Sequence, residues 1–181
     1  MARILPTTLD TAPADTRPLL EGMKKAFGSV PALFATIGHS PPALESLLHA
    51  MTALSHGALT TREIELVNPA TSELNGCAYC VSAHGALGKM AGVDAEAIAA
   101  AGEARATNPR EHAMLRLVAR VVRTGGAGTG TELAHAREAG LSDAAIVEVL
   151  AHVALKTFTN AVALVAQTEI DFPKQPHLPS L

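Results

Sequence analysis

Apolar residues recur three and four positions apart along most of this 181-residue chain, with polar residues between them, which is the period of helices rather than strands. The pattern predicts a helix from Pro18 to Phe27 that Gly28 ends, and a short one from Pro31 to Ile37 that Gly38 stops. A third opens at Ser40 as N-cap with Pro41 and Pro42 in its first turn, and Leu44, Leu47, Leu48, Met51 and Leu54 form its expected buried stripe. The next starts at Thr60 or Thr61, with Glu63 placed for a capping box, and runs to Leu74 before Asn75-Gly76 breaks it. Another runs from near Cys77 to Met90, and further helices fit Asp94 to Ala106, Pro109 to Arg123, Thr131 to Ala139 and Ser142 to about Thr168.

Pro69 lies inside the fourth pattern and cannot donate to the carbonyl of Glu65, so a kink or bulge is expected beside Glu65. LTTREIELV at Leu59–Val67 and LSDAAIVEV at Leu141–Val149 are faintly alike, which suggests a duplicated helical unit, although shared helix-start residues explain the likeness as well. Residues 1–16 are rich in Pro, Thr and Asp and are expected to run extended over the surface. Residues 17–172 then form one all-helical domain, and 173–181, with three prolines, an extended tail.

Composition agrees with an all-α class: 48% of residues are apolar, while Tyr occurs once, Phe four times and Trp not at all, too few aromatics for a sheet protein. A chain of this size buries enough surface to fold without disulfides. Its 14 basic and 17 acidic residues are dispersed, so no basic face awaits nucleic acid. No signal-peptide pattern opens the chain and no stretch approaches 18 uninterrupted apolar residues, so a soluble, cytoplasmic protein away from membranes is expected.

In a reducing compartment the two cysteines read as catalytic, sensing or metal-binding rather than structural. They are Cys77 and Cys80, a C-x-x-C pair, and His84 follows one helical turn later. On a helix these three share a face, and the unpaired N–H groups at its start favour a thiolate at Cys77. One thiolate can attack a peroxide oxygen to give a sulfenic acid, and the other thiol can condense with it to a disulfide that an external dithiol reductant restores. His84 can exchange a proton with Cys80 directly or through water, and Glu65, twelve residues before Cys77, is a candidate partner for His84, with Glu63 and Glu73 as neighbours of the same type. The bland alternative packs the cysteines as small core residues with His84 satisfied by a carbonyl. A zinc site from Cys77, Cys80, His84 and a distant carboxylate is a further alternative, but structural zinc draws on a second Cys/His pair and none follows. The reading therefore includes neither a metal nor a cofactor.

The spacing Glu65, Cys77-Ala78-Tyr79-Cys80, His84 resembles the active-site signature of the alkylhydroperoxidase AhpD-like family, within the carboxymuconolactone decarboxylase-like group. GSVPALFATIGHSPPALES before it resembles the family's lead-in helices. GLSDAAIVEVLAHVALKTFTNAVALVAQTEIDFP is similar to the closing segment of the peroxidase-related branch, so the resemblance spans about Gly28 to Pro173. It implies an AhpD-like helical bundle, homo-oligomers built as trimers or hexamers, and thiol-dependent peroxidase or disulfide reductase activity on small organic hydroperoxides. Carried over, Cys77 and Cys80 would be the redox pair, His84 and Glu65 the proton relay. The resemblance would put Cys80 beside the His, whereas the dipole favours Cys77 as the thiolate, so the order of attack stays open. Tyr79 stands where a well-characterised member has a second His, and Asn68-Pro69 where relatives carry ordinary helix formers. Relatives that act as decarboxylases lack the cysteine pair.

Other features are weaker. GGAGTG at Gly125–Gly130 follows a helix and lacks the P-loop Lys, so it reads as a connector. His49, His56 and His152 sit among apolar residues and read as satisfied core or interface histidines. Asn160 needs partners if buried, across a subunit interface or within the chain. Two other functional classes remain beside the peroxidase: a redox-sensing helical oligomer without turnover, and a cofactor-free lyase or isomerase using His84 and Glu65.

Overall fold

The computed structural model describes residues 2–174; most of the expected C-terminal tail, residues 175–181, lies outside the described residues. Among these, the α-helices are α1 (Arg17–Phe27), α2 (Ala32–Ile37), α3 (Pro41–Leu54), α4 (Thr61–Leu74), α5 (Ala78–Met90), α6 (Ala95–Gly102), α7 (Pro109–Thr124), α8 (Gly130–Glu138) and α9 (Asp143–Ala166), and there is no strand. The fold is the all-α class that the sequence pattern predicts.

Local chemistry sets the boundaries of the helices that matter most. Thr60 and Glu63 form the capping box at the start of α4: the Thr60 hydroxyl accepts the Glu63 N–H, and the Glu63 carboxylate accepts the Thr60 N–H at 2.8 Å. Ser142 caps α9 in the same way, accepting from the Ala145 N–H. Ser40 makes no such bond at α3, where Pro41 and Pro42 leave the first two positions without N–H donors. α6 stops at Gly102, short of Ala106, and Ala104 turns into left-handed backbone. The GGAGTG run joins α7 to α8 with Gly125, Gly126 and Gly128 at positive φ.

Two apolar clusters form. One lies among α4, α6, α7, α8 and α9 around Leu66, Val67, Met114, Leu115, Val118 and Val149. The other gathers Leu20 and Met23 from α1, Leu33 and Ile37 from α2, Leu44 and Leu47 from α3, together with Cys77, Tyr79 and Cys80. The α3 stripe is shorter than its spacing suggests: Leu44 and Leu47 are buried, but Met51 is 42% exposed, because the later turns of α3 border a cavity. α9 runs along both clusters and packs against α2, α3, α4, α5 and α7. Its length and apolarity alone would suffice to cross a bilayer, yet its buried face carries His152 and Asn160.

The N-terminal segment is tied to the body rather than loose on its surface. Arg3 N–H donates to the Ala166 carbonyl at 2.7 Å, Thr7 N–H to Ala35 at 3.2 Å, and the fully buried Thr16 hydroxyl to Gly38 at 2.8 Å. These bonds satisfy carbonyls at the ends of α2 and α9 that the helices leave unpaired.

Candidate functional site

The C-x-x-C pair is placed by the turn between α4 and α5. Asn75 ends α4, Gly76 takes φ +70°, and the Cys77 N–H returns to the Ser72 carbonyl at 2.9 Å. The turn makes Cys77 the N-cap of α5 rather than a residue of its first turn, and its sulfur accepts the Cys80 N–H at 3.3 Å. A thiolate here faces the unpaired donors and positive end of the helix.

The two thiols titrate in opposite directions. The hydrogen bond from Cys80 holds the Cys77 thiol below its usual value against the effect of burial, with help from the Cys80 N–H, Asn160 and the charge of Lys156. Cys80 is pushed up, first because its proton is committed to Cys77 and then by burial. Both shifts favour Cys77 over Cys80 as the thiolate, the order the dipole suggests. Both are enclosed, at 1% and 2% exposure, and neither is in a disulfide.

His84, one turn after Cys80, faces α4 and α9. Its Nδ1 lies 3.2 Å from Glu65 Oε2, and its Nε2 lies 2.6 Å from Lys156 Nζ. An ammonium has only donors, so Lys156 donates to Nε2, and the ring proton sits on Nδ1 and donates to Glu65. Burial lowers the His84 pKa, the adjacent Lys156 charge lowers it further, and Glu65 opposes both. Lys156 is itself pulled down by burial, against the attraction of Cys80, Glu65 and Cys77. Among the described residues His84 hydrogen-bonds Glu65 and Lys156 and neither sulfur, so of the two expected routes to Cys80 the direct one has no contact here and the one through water stays open. Lys156, whose charge acts on both thiols and on His84, is the group common to the two halves of the site.

Pro69 does not take Glu65 out of reach of His84. α4 continues as helix through the fully buried proline, and the Thr71 and Ser72 hydroxyls donate to the Val67 and Asn68 carbonyls at 2.8 Å. Of the neighbouring acids, Glu63 is taken by the capping box and by Arg110, 2.7 Å away. Burial alone would raise its pKa, but the bonds from Thr60 and Arg110 bring it below the usual value.

Tyr79 stands outside the proton network. It is buried, its hydroxyl accepts the Leu33 N–H at 3.2 Å, and its ring meets Phe172 edge-on at 5.8 Å. Burial pushes its pKa up, so it anchors α5 to α2 rather than relaying protons. Asn160 finds its partners within the chain: it accepts from Asn75 at 2.9 Å and donates to the Ser72 hydroxyl at 3.2 Å, which pins the Cys77 turn to α9.

A cavity of about 240 Å³ opens beside the network. Leu47 and Met51 of α3, Ile64 of α4, Leu87 of α5 and Leu155 of α9 give it apolar walls; Glu65, His84, His152 and Lys156 supply its ionisable groups, and Ser55, Thr61, Asn68 and Thr159 further polar ones. His152 departs from the satisfied core histidine its sequence context suggests. It is 7% exposed, its Nε2 has no hydrogen-bond partner, and burial lowers its pKa. Lys156 and His152 are the residues sequence reasoning missed; the signal was a single Lys inside an otherwise apolar helix. Among the described residues no group of three or more His, Cys, Asp or Glu side chains is arranged to hold a metal ion.

With this geometry in view, the relatives can be placed. Residues 41–120, which hold Glu65 and the whole C-x-x-C…His segment, match the carboxymuconolactone decarboxylase family. The chain superposes on the AhpD core of an uncharacterized peroxidase-related protein from Ralstonia eutropha JMP134 with a TM-score of 0.82 at 26% identity, covering 94% of each chain. The fold is that of AhpD-like proteins, and the segment that carries the candidate site is similar to the carboxymuconolactone decarboxylase family. A peroxidase-related protein from Silicibacter sp. TM1040 shares the fold at 20% identity and a TM-score of 0.79, with 92% of each chain covered. So does a cysteine-to-alanine variant of the debrominase Bmp8 in complex with 2,3,4-tribromopyrrole, at 19% identity and a TM-score of 0.79, covering 94% of this chain and 92% of that one. No curated protein matches the chain.

Proposed function

We propose that this AhpD-like protein is a thiol-dependent oxidoreductase that reduces small organic hydroperoxides through Cys77 and Cys80. The observation that carries this reading is the Cys77 sulfur at the N-cap of α5, receiving the Cys80 N–H at 3.3 Å and held below the usual thiol pKa first by the Cys80 thiol. The Cys77 thiolate attacks the terminal peroxide oxygen and the O–O bond breaks. The sulfur becomes a sulfenic acid, and the alkoxide leaves as an alcohol after taking a proton. Lys156, whose charge acts on both thiols, is the proton donor in this reading, and His84, held by Glu65, returns the proton to it. Cys80 sulfur then displaces hydroxide from the sulfenic acid, giving the Cys77–Cys80 disulfide and water. A dithiol reductant supplies two electrons and two protons to restore the thiols.

The same two-electron couple also fits reductive removal of halogen from a small ring, with the ring gaining hydrogen, halide leaving and the disulfide forming. The apolar cavity beside Lys156 favours this second reading, as does the debrominase among the structural neighbours. Free C-x-x-C thiols suit a reducing, cytoplasmic setting. The apolar residues Val147, Leu150, Phe158 and Val165 of α9 are exposed and offer a face for the trimer or hexamer that the family resemblance implies.

The test is stoichiometric. Reduced protein freed of reductant receives one equivalent of cumene hydroperoxide, and intact mass and free thiols are followed. Wild type should lose two hydrogens, Cys80→Ser should stop one oxygen heavier, and Cys77→Ser should not react. Thiols that stay free for hours would refute peroxide reduction, and bromide release from 2,3,4-tribromopyrrole in the same vessel would select the second reading. Acid–base activity surviving in Cys77→Ser/Cys80→Ser would transfer the function to His84 and Glu65.

A further inference from the structure

His152 and Lys156 are four residues apart on α9, so both project from one face of the helix, and both line the 240 Å³ cavity. Lys156 is committed to His84. His152 has no such commitment: its side chain is more than nine-tenths buried and its Nε2 has no partner. A buried, unpaired ring nitrogen is destabilising, and a hydrogen-bonding guest would relieve it. Leu47, Ile64, Leu87 and Leu155 give hydrocarbon walls, and Ser55, Thr61, Asn68 and Thr159 add polar side chains to the lining. The cavity is also smaller than the roughly 300–1,000 Å³ that holds drug-sized ligands, so its guest is compact. Met51, 42% exposed, stands at its mouth on the solvent side.

We infer that this cavity is the substrate chamber, and that His152 selects within it a small apolar molecule, a single ring or short branched chain, bearing one hydroxyl or N–H group. The inference rests on the thiol-oxidoreductase reading and names the substrate class for it. A hydroxyl suits Nε2 in either tautomer, since it can donate or accept. Once that group is fixed at His152, the rest of the molecule lies against the apolar walls beside Lys156 and His84. A purely hydrocarbon guest fills the same walls and leaves Nε2 unpaired, so the discrimination is polar rather than steric.

The experiment uses the full-length reduced protein and two probes of nearly the same shape, 4-ethylphenol and ethylbenzene, with binding measured by calorimetry. Wild type should prefer the phenol by about tenfold, one net hydrogen bond in a dry site. In His152→Leu the preference should fall to within about twofold with ethylbenzene binding kept or tightened, and His152→Gln should recover part of it. A merely structural histidine would weaken both probes together. Two results overturn the inference: wild type binds neither probe, or the phenol preference persists in His152→Leu. Thiol oxidation by cumene hydroperoxide on the same preparations reports separately on the redox reading, so that either proposal can fail without the other.

Discussion

The cluster among α4, α6, α7, α8 and α9 is centred on Leu66, Val67, Met114, Leu115, Val118 and Val149, all at 1% exposure or less, and contains no thiol or ionisable side chain. The cluster under α1, α2 and α3 is buried to a similar degree, yet Cys77, Tyr79 and Cys80 are members of it. Sulfur packs as a hydrophobe, so thiols can sit in a core at little cost, and their reactivity is set by what borders that core. Here the border is polar: Lys156, His84, Glu65 and Asn160 lie where α4, α5 and α9 meet. The first cluster should therefore govern stability and the border should govern chemistry.

Lys156→Met is the sharpest way to break that comparison. Loss of the charge should raise the Cys77 pKa, which Lys156 helps to hold down, and remove the proposed proton donor. Peroxide-driven thiol oxidation at neutral pH should fall by about 10²-fold, at the low end for a lost general acid. Met fills a similar volume in an apolar cavity, so thermal stability should be kept or increased. Stopped-flow oxidation across a pH series measures both quantities; an unchanged rate and unchanged thiol titration would remove Lys156 from the mechanism.

Leu115→Ala tests the other side. It empties a fully buried site in the first cluster and should cost about 2–5 kcal/mol in denaturant unfolding. The oxidation rate per folded molecule should not change. A variant that lost thiol reactivity while still folded would show that the two regions are not separable.

Asn160→Ala should have a smaller, mixed effect. Asn75 and Ser72 each lose a partner in the turn that carries Cys77, at about 1–3 kcal/mol. Because Asn160 also helps to hold the Cys77 thiol down, its titration should move up, which iodoacetamide labelling against pH would detect. Destabilisation with no shift in labelling would restrict Asn160 to a structural role.

The division between the two clusters also decides what could be read from the chain. Helix starts depend on neighbouring residues, so the Thr60–Glu63 box, the Ser142 cap and the Asn75-Gly76 stop were all legible. Glu65, Cys77, Cys80 and His84 lie within twenty residues, and the Glu65–His84 contact follows once α4 and α5 are antiparallel neighbours. Lys156 was not legible, because its contact with His84 spans 72 residues and only the packing of α9 creates it. His152 was misread for the same reason: an apolar neighbourhood along the helix does not show that one face borders a cavity. The Met51 error is similar, since helical spacing places a residue on a face but not beside a filled space.

The smallest effect expected is a pH dependence that tests whether the border carries a stability cost. His84 and His152 both hold protons less readily when folded, first because burial penalises the imidazolium and then because the Lys156 charge faces them; Glu65 opposes at both sites, and Glu148 also at His152. In the unfolded chain both titrate near pH 6.5. Between that value and their lower folded values the unfolded chain binds more protons, so unfolding free energy falls as pH drops through this window and is fully recovered above it. Melting at fixed ionic strength from pH 7.5 to pH 5 should show that decline, in a range above the acid titration of paired carboxylates such as Glu63. Each histidine can contribute a slope of at most about 1.4 kcal/mol per pH unit, so His152→Leu should make the decline visibly shallower while Leu115→Ala shifts the whole curve without changing its slope. A wild-type curve that is flat or rises toward pH 5 would mean that the two imidazoles are solvated in the folded chain. The polar border would then carry no stability cost, and its separation from the apolar core would rest on the kinetic variants alone.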